Sequence, residues 1–146
     1  MVLGAGAAPA TEAVETNLEV VGRTDLGRGG PFDAVAVIGT TAVVAGDCSS
    51  PTVTVVDLED PRRPRVVATL PMPPGTRAAE LDATAVETPS FTGDLVAVGL
   101  APCGGQTGPG VVLYDLSDPA APELRGRTQA CERCTSHAAP VSLASR

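Results

Sequence analysis

An eighteen-residue segment that occurs twice without a gap constrains the fold of this chain more than any other feature. Residues 53–70 are VTVVDLEDPRRPRVVATL and residues 111–128 are VVLYDLSDPAAPELRGRT, at a constant offset of 58 residues. Each copy ends an apolar run with Asp-Leu and continues with Asp-Pro. A repeated segment of this kind indicates repeated structural units, each of which buries a face against its neighbour.

The repeated Asp-Pro segment has the chemistry of a turn. Aspartate carboxylates bond backbone N–H groups just downstream, and proline fixes φ for the turn. Calcium ligation is the alternative use of such carboxylates, but both copies lie where a turn needs them. We therefore predict structural turn roles for six residues: Asp57, Asp60, Pro61, Asp115, Asp118 and Pro119.

The rest of the chain has the pattern of many short antiparallel strands. Apolar runs with period-2 character alternate with Gly, Pro, Asp and Ser clusters, and 16 Gly and 14 Pro interrupt every window that could hold an amphipathic helix. Residues 39–41 predict a tight hairpin, and residues 88–93 predict a longer loop at the equivalent place. The predicted strands are 18–24, 33–38, 42–46, 52–57, 65–70, 81–87, 94–100, 110–115 and 123–128.

Each repeat therefore consists of four antiparallel strands, which is the composition of a β-propeller blade. The pattern VxVVDLxDPxxPxVVxT, preceded by AVAVxGxxAVVA, resembles the LVIVD repeat. Here the naming strand is VTVVD at 53–57 and VVLYD at 111–115. The resemblance implies an all-β propeller, often bacterial and exported or displayed at the cell surface, and it implies no particular activity.

A propeller ring needs roughly 4 to 8 blades, and this chain supplies two. We therefore predict an incomplete β-propeller with three parts: a disordered tail or signal-peptide remnant at 1–17, about two LVIVD-like blades at 18–128, and a Cys-containing loop with the start of a truncated further blade at 129–146. The remaining blades of the same propeller are expected partners.

Charge excludes two classes of partner. The chain has 17 acidic residues against 10 basic ones and a formal net charge of −7, which opposes binding to phosphate backbones and to anionic lipid. No stretch approaches the roughly 20 apolar residues of a membrane span. We expect neither nucleic-acid binding nor membrane insertion.

The N-terminus and the cysteine count favour an extracellular or cell-surface location. Ala8-Pro9-Ala10 resembles a signal-peptidase site, and the residues before it are either a truncated signal peptide or an Ala/Gly-rich tail. The four cysteines, Cys48, Cys103, Cys131 and Cys134, fit an oxidising compartment. Cys48 and Cys103 follow equivalent strands, which predicts a disulfide; free buried thiols are the alternative.

Cys131, Cys134 and His137 form the one group with the chemistry of a reactive site. A loop disulfide, or pairing with another cysteine, is our interpretation, and a zinc ligand set or redox pair is the alternative. We predict no catalytic residue and no cofactor-binding residue. Gly104, Gly105, Gly108 and Gly110 lack the helix and lysine of a phosphate loop.

Two hypotheses for function follow. The first is a non-enzymatic, secreted or surface-exposed propeller module that binds a protein or a glycan. The second is a fragment of a propeller hydrolase or lactonase whose active site lies in missing blades.

Overall fold

The chain is all-β over the residues that the computed structural model describes, 19–27, 30–104 and 110–129, and this part contains no helix, hence none that could span a membrane. Eight strands form two four-stranded antiparallel sheets, each with its strands in chain order. The strands are β1 (Phe32–Ile38), β2 (Thr41–Gly46), β3 (Val53–Asp57), β4 (Arg65–Leu70), β5 (Thr76–Thr88), β6 (Phe91–Pro102), β7 (Gly110–Asp115) and β8 (Glu123–Gln129).

The strand predictions are confirmed for eight elements and wrong for one. Strands β4 and β7 have the predicted bounds, because turn residues flank both of them. The predicted strand at 18–24 is wrong, since described residues 19–24 belong to no strand. A strand needs a neighbour to take up its backbone N–H and C=O groups, and no described strand lies beside this segment.

The two hairpins of the repeat differ in length. The β1–β2 turn is tight as predicted, because Ile38 pairs with Thr41 and Gly39 takes a positive φ of 54° that glycine tolerates. The predicted loop at 88–93 is wrong. Thr88 pairs directly with Phe91, and the Thr88 hydroxyl accepts a hydrogen bond from the Phe91 N–H at 3.0 Å, which closes a two-residue turn.

The repeat of the sequence is also a repeat of the structure. In the first sheet the N–H of Leu58 donates to the carbonyl of Thr40, and in the second the N–H of Leu116 donates to the carbonyl of Asp94, both at 2.7 Å. This hydrogen bond closes an equivalent corner between the second and third strands in each sheet. Residues 85–94 take the place of the two-residue turn of the first sheet, so the β5–β6 hairpin extends well past the end of its sheet.

The core lies between the two sheets. We call the face that carries Val53 and Val55 in the first sheet, and Val111 and Leu113 in the second, the front face; the opposite face is the back. Residues of the first sheet's front face and of the second sheet's back face share one buried cluster. Its members are Val43, Ala45, Val53, Val55, Leu70, Ala78, Val96, Val98, Leu100, Val112, Tyr114 and Leu116.

The two units therefore stack front to back. The back of the first sheet and the front of the second have no other sheet against them in the described part of the chain. The stacking also fits the composition, because small β-branched side chains on the two facing surfaces interdigitate across closely packed sheets.

Candidate functional site

Three links other than apolar packing join the sheets around the core: a disulfide, an ion pair and a hydrogen bond. The structure contains the predicted disulfide between Cys48 and Cys103, whose Cα atoms are 5.5 Å apart. The guanidinium of Arg77 pairs with the carboxylate of Asp33. The hydroxyl of Tyr114 donates to the Pro71 carbonyl, and burial raises the pKa of this phenol. These links fix how the two units stack.

The four repeated aspartates are engaged in their turns. Asp57 accepts from the N–H of Glu59 at 2.8 Å, and Asp115 accepts from the N–H of Ser117 at 2.9 Å. Asp60 and Asp118 accept in the same way from the N–H two residues on, at 3.1 and 3.0 Å. Pro61 and Pro119 follow them in the turns. The carboxylates therefore bind backbone, and no group of three or more His, Cys, Asp or Glu residues among the described ones could hold a metal ion.

The third-strand aspartates also bind arginine. Asp57 accepts from Arg65 at 2.6 Å, and Asp115 accepts from Nε and Nη2 of Arg125 at 3.1 and 2.8 Å. The Glu59 N–H, and then Arg65, lower the pKa of Asp57. For Asp115, the Ser117 hydroxyl is the largest cause of a lowered pKa, followed by the Ser117 N–H and Arg125.

We expect these two aspartates to make the fold sensitive to acid. A carboxylate whose pKa is lowered by folding stabilises the protein above its unfolded pKa of about 3.9, and the contribution is lost as the pH falls through the folded pKa. The free energy of unfolding, measured with urea at a series of pH values, should therefore be constant above about pH 5 and decline below about pH 4. Asp115→Asn should reduce the slope of that decline, and an unchanged slope would contradict the assignment.

The clearest candidate binding feature is an open cleft beside the extended β5–β6 hairpin. The cleft has a volume of about 340 Å³ and is lined by Val86, Thr88, Ser90, Phe91, Leu95 and Arg125. The register places Leu95 opposite Asp115, so the cleft lies at one end of the second sheet's open front face. We call it the hairpin cleft.

Arg125 is the cationic group of the hairpin cleft. Its guanidinium carbon lies 5.0 Å from the centroid of the Phe91 ring, a cation–π contact. Nε and Nη2 bind Asp115, whereas Nη1 forms a looser ion pair with Glu123 at 3.9 Å, beyond hydrogen-bond distance. The arrangement offers a preformed donor beside an aromatic ring.

The two front faces differ in chemistry at equivalent positions. Arg125 occupies the position that Val67 occupies in the first sheet, at an offset of 58 residues. Strand pairing likewise makes Glu80 and Asp82 the counterparts of Ala34 and Ala36. In the first sheet Ala34 and Val67 pack against the cluster between the sheets. The second sheet has charged side chains at the equivalent positions, on a face that no other sheet covers among the described residues.

Several predicted features lie outside the described residues. Cys131, Cys134 and His137 are among them, as is the tail at 1–17, so the loop disulfide and its zinc or redox alternatives stay predictions. In the glycine-rich loop, Gly104 and Gly110 are described, whereas Gly105 and Gly108 are not. The predicted further blade from residue 129 onward is outside this part of the chain too, apart from Gln129 at the end of β8.

The hairpin cleft was not predicted from the sequence. The sole signal was the greater length of residues 88–93 compared with the first repeat, and nothing in the linear pattern related Phe91 to Arg125. Comparison with known proteins finds no family model that matches this chain and no curated protein with significant similarity to it.

Proposed function

We propose that this chain is a non-enzymatic LVIVD-like β-propeller module, exported or displayed at the cell surface, that binds a protein through the front face of its second sheet. The supporting observation is the exchange of Ala34, Ala36 and Val67 in the first sheet for charged residues in the second. A face that packs against another identical unit needs aliphatic side chains, whereas a recognition surface gains specificity from charges.

The propeller assignment is supported by the repeat. Two four-stranded antiparallel units with equivalent corners stack front to back, as successive blades do. Further units extend this array from the back face of the first sheet. The disulfide is consistent with an oxidising compartment, and together with the signal-like N-terminus it supports export.

A polypeptide is the partner that the hairpin cleft fits best, with a glycan as the alternative ligand class. Phe91, Leu95 and Val86 supply apolar contact area, and Nη1 of Arg125 supplies donors for a carboxylate or a backbone carbonyl. Aromatic and arginine side chains dominate the energetics of protein interfaces. The extended hairpin places this group beyond the end of the sheet, where a partner reaches it.

We expect selection of a random displayed peptide library on the immobilised chain to enrich sequences that combine apolar and acidic residues. Synthetic versions of these peptides should bind Phe91→Ala and Arg125→Ala each about tenfold more weakly than the unaltered chain, since loss of an interface anchor costs more than 1 kcal/mol. Isothermal titration calorimetry measures the effect.

The matched control is Phe32→Ala, because Phe32 is the other phenylalanine of the chain and lies on β1 of the first sheet. Its affinity should stay within about twofold of the unaltered chain. Peptide binding that depends on Phe32 and not on Phe91 would contradict the site. A glycan array with Phe91-dependent binding would replace the polypeptide by a glycan, and turnover of a lactone or ester would favour the hydrolase hypothesis.

A further inference from the structure

The described chain contains three copies of an outer-strand sequence and uses two of them in sheets. Residues 66–70 (VVATL) lie in β4, and residues 124–128 (LRGRT), which follow at the repeat offset of 58, lie in β8. Residues 20–24 (VVGRT) share Val-Val with the first and Gly-Arg-Thr with the second, at the same alignment. The segment is thus a fourth strand by sequence, although no described strand pairs with it.

The segment is nevertheless held in place against the first sheet. Leu26, which follows it, packs on Ala42 and Val56 of the back face. Gly22 lies so close to the Pro61 carbonyl oxygen that a Cβ atom would come within 2.0 Å of it. The linker after β4 has the same relation to the back face of the second sheet. The hydroxyl of Tyr114, the repeat counterpart of Val56, donates a hydrogen bond to the Pro71 carbonyl of this linker.

The back face of the first sheet carries exposed aliphatic side chains beside this segment. Val35 is 63% exposed and Val37 is 56% exposed. Strand pairing makes Leu81 and Ala83 their counterparts on β5, and both of these pack against the core between the sheets. The same surface is therefore covered by a sheet in one unit, and in the other no sheet of the described residues covers it.

We infer that the back face of the first sheet, together with residues 19–24, is the docking site for a three-stranded antiparallel sheet that lacks its outer strand. Residues 19–24 would add as the fourth strand, and Val35 and Val37 would pack on a face of small aliphatic residues like Val43, Ala45, Val53 and Val55. This inference rests on the proposed stacking of repeat units and does not involve the hairpin cleft.

A second unaltered copy of the chain does not fit this site. Its second sheet already has β8 in the position that residues 19–24 would take. Its front face also has Glu80 and Asp82 where the first sheet has Ala34 and Ala36, and carboxylates buried against valine without a partner are strongly unfavourable. The occupant is therefore a unit with an unpaired third strand and without these charges.

A shortened form of the chain supplies such a unit as a probe. The probe ends at residue 121, which removes β8 and exposes the edge of β7, and it carries Glu80→Ala and Asp82→Ala. It also carries Val35→Asp, which blocks its own copy of the docking site so that the probe does not associate with itself. Sedimentation velocity of the full chain mixed with this probe should show a one-to-one complex, and the full chain alone should not form it. Native disulfide formation and circular dichroism check that the probe is folded.

Proline substitutions in the full chain test strand pairing itself. Successive residues of a strand point their N–H groups to opposite sides, so one of Val20→Pro and Val21→Pro should weaken the complex by about tenfold and the other much less. Val35→Asp should also weaken it by about tenfold or more. Equal tolerance of both prolines, or no complex with a folded probe, would overturn the inference.

Amide hydrogen exchange of the full chain provides a test that does not need the probe to fold. Residues 20–24 should exchange at least about a hundredfold faster than residues 66–70, because only the latter pair in a sheet. Protection of residues 20–24 in the chain alone would overturn the inference, since the strand would already be paired. Failure of peptide selection at the hairpin cleft would affect the proposed function and not this result.

Discussion

Replacement of both Cys48 and Cys103 by serine is expected to lower the free energy of unfolding by about 4 kcal/mol. The disulfide joins residues 55 apart in sequence and links the two sheets, so its loss releases a long loop in the unfolded chain and removes a covalent link across the core. Domains of this size have total stabilities of roughly 5 to 15 kcal/mol. Urea unfolding followed by circular dichroism measures the change.

Two comparisons control this experiment. Reduction of the unaltered chain should lower its free energy of unfolding by a similar amount. The double variant lacks this disulfide, so a reductant should have no effect on it through positions 48 and 103. Cys131→Ser with Cys134→Ser keeps the Cys48–Cys103 link and should retain the response to reductant. A double variant within about 1 kcal/mol of the unaltered chain would show that the apolar core alone holds the sheets together.

Leu70→Ala is expected to lower the free energy of unfolding by about 3 kcal/mol, within the range observed for buried leucine truncations. Leu70 ends β4, is 1% exposed and belongs to the cluster between the sheets. Its truncation leaves a cavity that a surface of small, stiff β-branched side chains fills poorly. Chemical denaturation at constant pH provides the measurement.

Val66→Ala is the matched control, because Val66 lies on the same strand and is 44% exposed. It should lower the free energy of unfolding by less than about 1 kcal/mol. If the two substitutions cost the same, β4 would not contribute to the core in the way the structure indicates.

Much of the fold could be predicted from the sequence, because local turn chemistry and the repeat agree. Strand bounds were best predicted beside the Asp-Pro turns, where Asp57 and Asp115 end their strands by bonding the backbone downstream. The prediction was wrong at the β5–β6 hairpin, where residues typical of turns lie in paired strands. Only Pro89 and Ser90 form the turn, while Thr92 and Gly93 pair in the hairpin. It was also wrong at 18–24, because a strand-like sequence without a neighbour forms no ladder.

The candidate site was less predictable for a related reason. Phe91 and Arg125 are far apart in the chain and come together through the register of β6, β7 and β8. A linear pattern contains the residue types of a cation–π pair and not their distance. The charged counterparts of Ala34, Ala36 and Val67 became informative once the two front faces had been superposed by their strand pairing.

The sequence by itself determined that this chain forms two equivalent four-stranded units, because period-2 patterning, turn residues and a gapless repeat act over short stretches of chain. Tertiary structure alone decided which faces those units bury. Among the described residues, stacking front to back covers the first sheet's front and leaves two faces without a sheet against them: the first sheet's back, with Val35 and Val37, and the charged front of the second sheet. That choice depends on packing between segments distant in sequence, which no local pattern encodes.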